Sequence, residues 1–243
     1  MSCFFCPEFD TVFHTSFTHN MDSVFGLIMN RIAEASPRIV GFYCNSLLDA
    51  ELISNIRHHF NGNIVAISHG FADISQQRKM LSNVDGILIR FFGFSEESYS
   101  KLCTIPDGYR YAQRLLELAS SLGIHTEVEF YIVPGVTDID EFRMFIQILK
   151  NFRNPILHLK RFRPSFLMRD RSPTSARELL KLYNLAREDL WYVYGDLWHS
   201  DLNNTFCPNN HVVLRRFGWN LLENNIQKNK CRFCGAPIPG RFI

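Results

Sequence analysis

The sequence predicts an α/β protein: a parallel sheet covered by helices, with a small cysteine-rich module at its carboxyl end. Two observations carry this. From about residue 20 to residue 196, apolar strand-like runs alternate with amphipathic helical stretches. Past about residue 200, short strands, turns and paired Cys and His residues replace that alternation. Hydrophobic residues make up 46% of the chain and Phe contributes 22 of 243, enough for a sizeable core or cavity rich in aromatic rings.

The elements follow in order. "MDSVFGLIMNRIAEA" places Val24, Phe25, Leu27, Ile28 and Ile32 on one helical face, and "RIVGFYCN" is a buried strand. "LLDAELISNIRHHF" is helical, "NIVAIS" a strand ending at His69-Gly70, and Gln76–Leu81 a short helix before the strand "GILIRFF". "GYRYAQRLLELASSLG" is a helix, "TEVEFYIV" a strand stopped by Pro134-Gly135, "DIDEFRMFIQILKNF" a helix and "PILHLKRF" a strand. "TSARELLKLYNLARE" is a helix with Thr174 as expected N-cap and Glu178 in its first turns, and "LWYVYGD" closes the series. Alternating apolar strands and helices give a parallel sheet, whose functional residues lie at the carboxyl ends of the strands. That directs attention to Asn45, His69, Arg90, Val133 with Pro134, and His158 with the following "KRFRP". The first helix, 21–35, has no strand before it to cover, so a strand is expected to be missing at the front.

Composition excludes several classes. A net charge of +2 gives no field suited to nucleic acid. No run of 18 apolar residues exists and no basic-then-apolar leader opens the chain, so neither a membrane span nor a signal peptide is expected and the setting is cytoplasmic. In such a setting the cysteine clusters at the two ends, Cys3 with Cys6 and Cys207 with Cys231 and Cys234, read as metal ligands rather than disulfides. At the carboxyl end, Cys231-Arg-Phe-Cys234-Gly is a metal knuckle in which Gly235 lets the backbone turn its amides toward the sulfurs. Cys207 and His211 would complete a Cys3His tetrahedral site for structural Zn2+. The alternative is a degenerate knuckle held by Phe206, Val213 and Trp219. At the amino end Cys3-Phe-Phe-Cys6 admits a redox pair, half a zinc site or part of a larger loop; the redox pair is disfavoured because no strand precedes it.

Taken in order, "EVEFYIVPGVTDIDEF", "PILHLKRFRPSFLMRDRSPTSARELL", "WYVYGD" and "NTFCPNNHVVLRRFGWNLLENNIQKNKCRFCGAPIPG" resemble the AmmeMemoRadiSam-type radical SAM proteins, relatives of the pyruvate formate-lyase activating enzymes. Upstream, "SNVDGILIRFFGFSEESYSKL" is similar to a further family segment. The resemblance implies a partial (β/α)6 TIM-like barrel over 1–200, lacking its first strand, and a zinc-knuckle module over 201–243. It also implies a [4Fe–4S] cluster on a C-x3-C-x2-C loop, which binds S-adenosylmethionine and generates a radical on an unknown substrate or protein, fed by an electron donor. Cys3 and Cys6 match the last two cysteines of that loop, so the chain is expected to begin inside it. Glu127, Glu129 and His158 match the family positions that help hold the cofactor.

Three positions depart from the family. Asn45-Ser46-Leu47 replaces an acidic motif, Ser68-His69-Gly70 stands where relatives carry T-N-G, and Arg90 stands for a lysine. Arg90 keeps the charge without the shape, and it and His69 remain candidate cofactor ligands. Cys44, His14 and His19 are the other candidates to complete a cluster, although Cys44, on a strand of alternating side chains, is better suited to a core. Arg161 and Arg163 are either a solvated rim or an anion site. The alternative function is a non-catalytic barrel scaffold that keeps its zinc knuckle for partner binding.

Overall fold

The computed structural model describes residues 21–44, 47–197, 200–218 and 220–240. Among them the α/β class holds, and the strand order of the main sheet is the chain order, β1-β2-β3-β4-β5-β6. Strands that follow one another in chain order without a reversal belong to a singly wound rather than a doubly wound α/β fold. Among the described residues none of the helices is long and apolar enough to cross a membrane. The chain divides into two compact units, the first running up to Phe91 and adding Ser95–Thr126 and Pro164–Arg171, the second made of Phe92–Phe94, Glu127–Arg163 and Ser172–Ile243.

In the first unit the elements are α1 (Met21–Ala35), β1 (Ile39–Tyr43), α2 (Leu47–His59), β2 (Asn63–Ser68), α3 (Ile74–Leu81), β3 (Gly86–Phe91), α4 (Glu96–Ser100) and α5 (Gly108–Ser121). β1 pairs with β2 and β2 with β3, both in parallel. Because side chains alternate along a strand, Ala66, Ser68, Ile87, Ile89 and Phe91 form the buried face, and Phe91 meets Tyr109 of α5 edge-on at 6.3 Å. The short helix α3 starts two residues earlier than expected. Its start is an Asp73–Gln76 capping box, in which the Asp73 carboxylate accepts from the amides of Ser75 and Gln76. α4 escapes a periodicity search at five residues, yet Glu96 on it accepts from Arg110 N at 2.9 Å and so caps α5 from a distance. Gly70 is held at φ +78°, where a Cβ would fall 2.7 Å from Tyr111 O, so only glycine lets the chain leaving β2 pass the first turn of α5.

In the second unit, β4 (His125–Ile132, from Glu127 onward) pairs in parallel with β5 (Ile156–Arg161), and β5 with β6 (Tyr192–Gly195). α6 (Ile139–Leu149) and α7 (Ala176–Arg187) cover one face. Its core is a phenylalanine cluster: Phe94 stacks on Phe130 at 4.1 Å and on Phe145 at 4.3 Å, with Phe142 tilted against both Phe94 and Phe130. Here the aromatic richness of the sequence is spent on packing.

Thr174 does not cap α7 as expected. The N-cap is Ser175, whose hydroxyl accepts from Glu178 N while Glu178 reaches back to the Ser175 amide. Thr174 is buried and joins two strand ends: its hydroxyl donates to Ile132 O and accepts from Phe162 N, and its own amide donates to Phe162 O at 3.1 Å. The correction has a simple cause, since either of two adjacent hydroxyl residues can cap, and the one facing unsatisfied backbone groups is recruited by them.

The carboxyl-terminal strands β7 (Thr205–Phe206), β8 (Val212–Phe217) and β9 (Asn220–Asn224) form an antiparallel sheet, and β10 (Ile226–Gln227) and β11 (Lys230–Cys231) a hairpin. Lys228 and Asn229, both at positive φ, make its two-residue turn.

Replacing Thr174 by Val, which keeps its shape and removes the hydroxyl, is expected to lower stability by about 1–2 kcal/mol. Thr174→Ser should lose much less, with urea denaturation as the measurement.

Candidate functional site

Among the described residues three groupings of chemically capable side chains emerge. In the first unit Tyr43, His69 and Arg90 gather at the carboxyl ends of β1, β2 and β3. The Tyr43↔Ile67 and Ile67↔Leu88 register puts all three on one face. The buried Arg90 guanidinium lies over the Tyr43 ring at 4.9 Å and approaches its hydroxyl at 3.4 Å. His69 stacks on Phe71 at 5.4 Å. Burial of its ring, and then the Arg90 charge, push its pKa down to about 3 against a hydrogen bond to the Arg90 backbone. His69 is therefore neutral at physiological pH, and Arg90 is the cation of this group. Cys44, at the end of β1, is buried with its thiol 3.3 Å from Phe42 O.

In the second unit the register Glu129↔His158↔Tyr194 sets three strands' side chains in one row, with Glu127 and Lys160 one step to either side on the same face. The His158 Nε2 meets Glu127 Oε2 at 2.5 Å, and the ring stacks on Tyr194 with centroids 5.1 Å apart and 20° between planes. Lys160 Nζ lies 3.8 Å from Glu129 Oε2. Burial raises the pKa of Tyr194, so it is a neutral phenol that can give or take a hydrogen bond. Glu127 and His158 keep 32% and 29% of their side-chain surface exposed, enough for a ligand to reach them, whereas Glu129 keeps only 6%. The arrangement offers a carboxylate held by an imidazole, an ammonium and a flat aromatic surface, all projecting from rigid strands. The sequence singles out Glu127, Glu129 and His158, and Lys160 only as part of the stretch after His158; Tyr194 is missed, its signal being strand parity within "LWYVYGD". Arg161 and Arg163, weighed as an anion site, both turn to Asp196: Arg161 Nε donates to its carbonyl at 2.9 Å and Arg163 lies 3.7 Å from its carboxylate.

The third grouping is the carboxyl-terminal knuckle. Cys207 Sγ lies 3.4 Å from His211 Nδ1 and 3.7 Å from Cys234 Sγ, and Cys231 Sγ lies 3.9 Å from His211 Nδ1. All four ligand atoms fall within 4.8 Å of one another. Tetrahedral coordination with Zn–S near 2.3 Å and Zn–N near 2.0 Å requires about 3.8 Å between sulfurs and about 3.5 Å from sulfur to nitrogen, close to these three separations, so the four atoms stand within reach of one metal ion. Two tight turns build it. Asn210 N donates to Cys207 O with Asn210 at φ +60°, and Gly235 N donates to Cys231 O with Gly235 at φ +72°. Hydrogen bonds from the Ala236 amide and then the Asn209 side chain pull the exposed Cys234 thiol down to about 6, which favours the thiolate that a metal needs. Two of the ligands, Cys207 and Cys231, are buried with Val213 and Ile238 in a small core. Of the residues expected to hold a degenerate knuckle, Val213 is in that core, Phe206 lies under Arg187, and Trp219 is outside the described residues. Cys3, Cys6, His14, His19 and Asn45 lie outside the described residues.

Comparison with known proteins fits this picture. No protein-family model matches the chain. Over 207 residues it is 30% identical to the uncharacterized protein MJ0808 of Methanocaldococcus jannaschii, taking in 81% of this chain and 59% of that protein, so it spans less than two thirds of that relative. Among solved structures, a domain of pyruvate-formate lyase-activating enzyme from Bacteroides vulgatus ATCC 8482 matches with a TM-score of 0.56 and 14% identity, over 65% of this chain and 98% of that one. A structure of TYW1 with a lysine–pyruvate adduct bound matches with a TM-score of 0.52 and 16% identity, over 82% and 72% of the two chains. At these identities the likeness is one of fold.

Cobalt(II) titrated into metal-free protein should give the visible bands of a tetrahedral thiolate site, saturating near one equivalent. His211→Ala should weaken or abolish them. Featureless binding that His211→Ala leaves unchanged would contradict a four-ligand centre.

Proposed function

We propose that the chain is a radical SAM-type protein that binds S-adenosylmethionine on the polar face of β4, β5 and β6, with a structural Zn2+ at Cys207, His211, Cys231 and Cys234. The observation that carries the reading is the Glu127–His158 pair. It stands at strand positions that the sequence resemblance assigns to the cofactor, within a fold shared with the two solved structures. Glu127 holds the imidazole in one tautomer and orientation, as a carboxylate does for a ligand-binding histidine. Tyr194 offers a flat surface suited to a purine or ribose, and the Lys160 ammonium balances the buried Glu129 carboxylate.

A [4Fe–4S] cluster belongs to this reading through Cys3 and Cys6, by resemblance alone. When bound, such a cluster supplies the electron that cleaves the sulfonium to a 5′-deoxyadenosyl radical. The substrate, whether a small molecule or a partner protein, and the electron donor are the remaining components.

A second reading, a non-catalytic scaffold that keeps the knuckle for partner binding, draws support from Arg90. Its guanidinium is buried over Tyr43, at a position where the family resemblance expects a lysine.

Anaerobic reconstitution with iron and sulfide, followed by S-adenosylmethionine and dithionite, tests the first reading. 5′-Deoxyadenosine is the expected product, and Glu127→Gln or His158→Gln should weaken cofactor binding about tenfold. Protein extended at its amino end to carry the first cysteine of the loop, which binds zinc but neither iron nor S-adenosylmethionine, would establish the scaffold reading instead. Purified protein is expected to contain about one zinc per chain, and removing it by chelation should lower the unfolding temperature of the carboxyl-terminal region.

A further inference from the structure

The strands that lead into the knuckle are joined to the polar face by a run of hydrogen bonds and one ring stack. Arg216 of β8 donates from Nη1 to Asn203 O at 3.1 Å and to Thr205 Oγ1 at 2.9 Å. Its backbone amide donates to Asn204 Oδ1 at 2.8 Å. Thr205 is buried, two residues before the ligand Cys207, and its hydroxyl meets the Tyr194 hydroxyl at 2.9 Å. The Tyr194 ring then lies flat against His158, which meets Glu127. Each step joins a different strand, so the run passes β8, β7, β6, β5, β4 without leaving the second unit.

We infer that Tyr194 is a positioning residue, which fixes the His158 ring against Glu127 and is itself fixed by the metal module through Thr205 and Arg216. A phenol hydroxyl that only needed a partner could be satisfied by water. Here it is met by a buried hydroxyl that Arg216 already engages, and a hydrogen bond anchored at its buried end resists rotation of the ring it holds. A stacked ring held at its far end limits how far the neighbouring imidazole can tilt, and the 2.5 Å contact to Glu127 requires one tilt. β7 and β8, which flank the first pair of metal ligands, thereby act on the site face as well as on the module's own fold. As a statement about the His158–Glu127 pair this stands on geometry; its consequence for a ligand rests on the S-adenosylmethionine reading above.

The test compares the full-length protein with Tyr194→Phe, Thr205→Val and the double variant. Two quantities are measured: the far-downfield proton resonance of the His158–Glu127 hydrogen bond, assigned by its loss in His158→Gln, and the S-adenosylmethionine dissociation constant by equilibrium dialysis. Either single change removes the same hydrogen bond. Each should broaden or shift the resonance and raise the dissociation constant about fivefold, and the double variant should do no more than either alone. If Thr205→Val fails to fold, Tyr194→Phe, which cuts the bond from the other side, carries the test by itself. A resonance and affinity equal to wild type in folded Tyr194→Phe would overturn the inference, as would effects that multiply in the double variant. Should the resonance respond while wild-type protein binds no S-adenosylmethionine, the positioning role stands and the ligand reading falls.

Discussion

The parallel register of β4, β5 and β6 is the constraint on which the second unit depends. Pairing Glu129 with His158 and His158 with Tyr194 sends Val128, Phe130, Leu157, Leu159 and Val193 to the opposite face, where they are buried. A slip of one residue would exchange the two faces, exposing the phenylalanine-backed core and burying the carboxylates. The same hydrogen-bonded ladder therefore builds the core and the functional row. Burial of Phe130 against Phe94 and Phe142 enforces the register that brings Glu127 to His158, residues 31 positions apart in sequence. Thr174 secures the carboxyl ends of the two strands, the end at which α/β folds place their ligands.

The knuckle solves a different problem with different means. Its strands are short and β9 is exposed throughout, so apolar burial contributes little beyond the cluster of Cys207, Val213, Cys231 and Ile238. Four ligands brought within one ion's reach supply cohesion that so small a core lacks. Arg187 of α7 over the Phe206 ring, and Tyr194 with Thr205, fasten this module to the helix and strand beside it.

Much of this was legible in the sequence, for identifiable reasons. Strand–helix alternation declares itself through apolar, β-branched runs, and the Cys207/His211/Cys231/Cys234 set through spacing alone, because two turns with Asn210 and Gly235 at positive φ leave little freedom. What sequence could not supply was contact across strands: the Glu127–His158 distance, the partnership of Arg90 with Tyr43 and the role of Tyr194 all depend on register. Helix α4 is too short for periodicity to show, and Thr174 and Ser175 are equivalent as caps until the strand ends nearby are known. His69 illustrates a subtler limit, since its neutrality comes from burial and from Arg90, a residue 21 positions away that only folding brings to it.

The account stands or falls on what occupies the face formed by Glu127, His158, Lys160 and Tyr194. A crystal structure of the anaerobically prepared protein with S-adenosylmethionine measures this most directly. The account predicts electron density for the nucleoside within hydrogen-bonding distance of Glu127 or His158, with the Tyr194 ring alongside. Density for the cofactor elsewhere, with the His158–Glu127 pair undisturbed and untouched by it, would contradict the account.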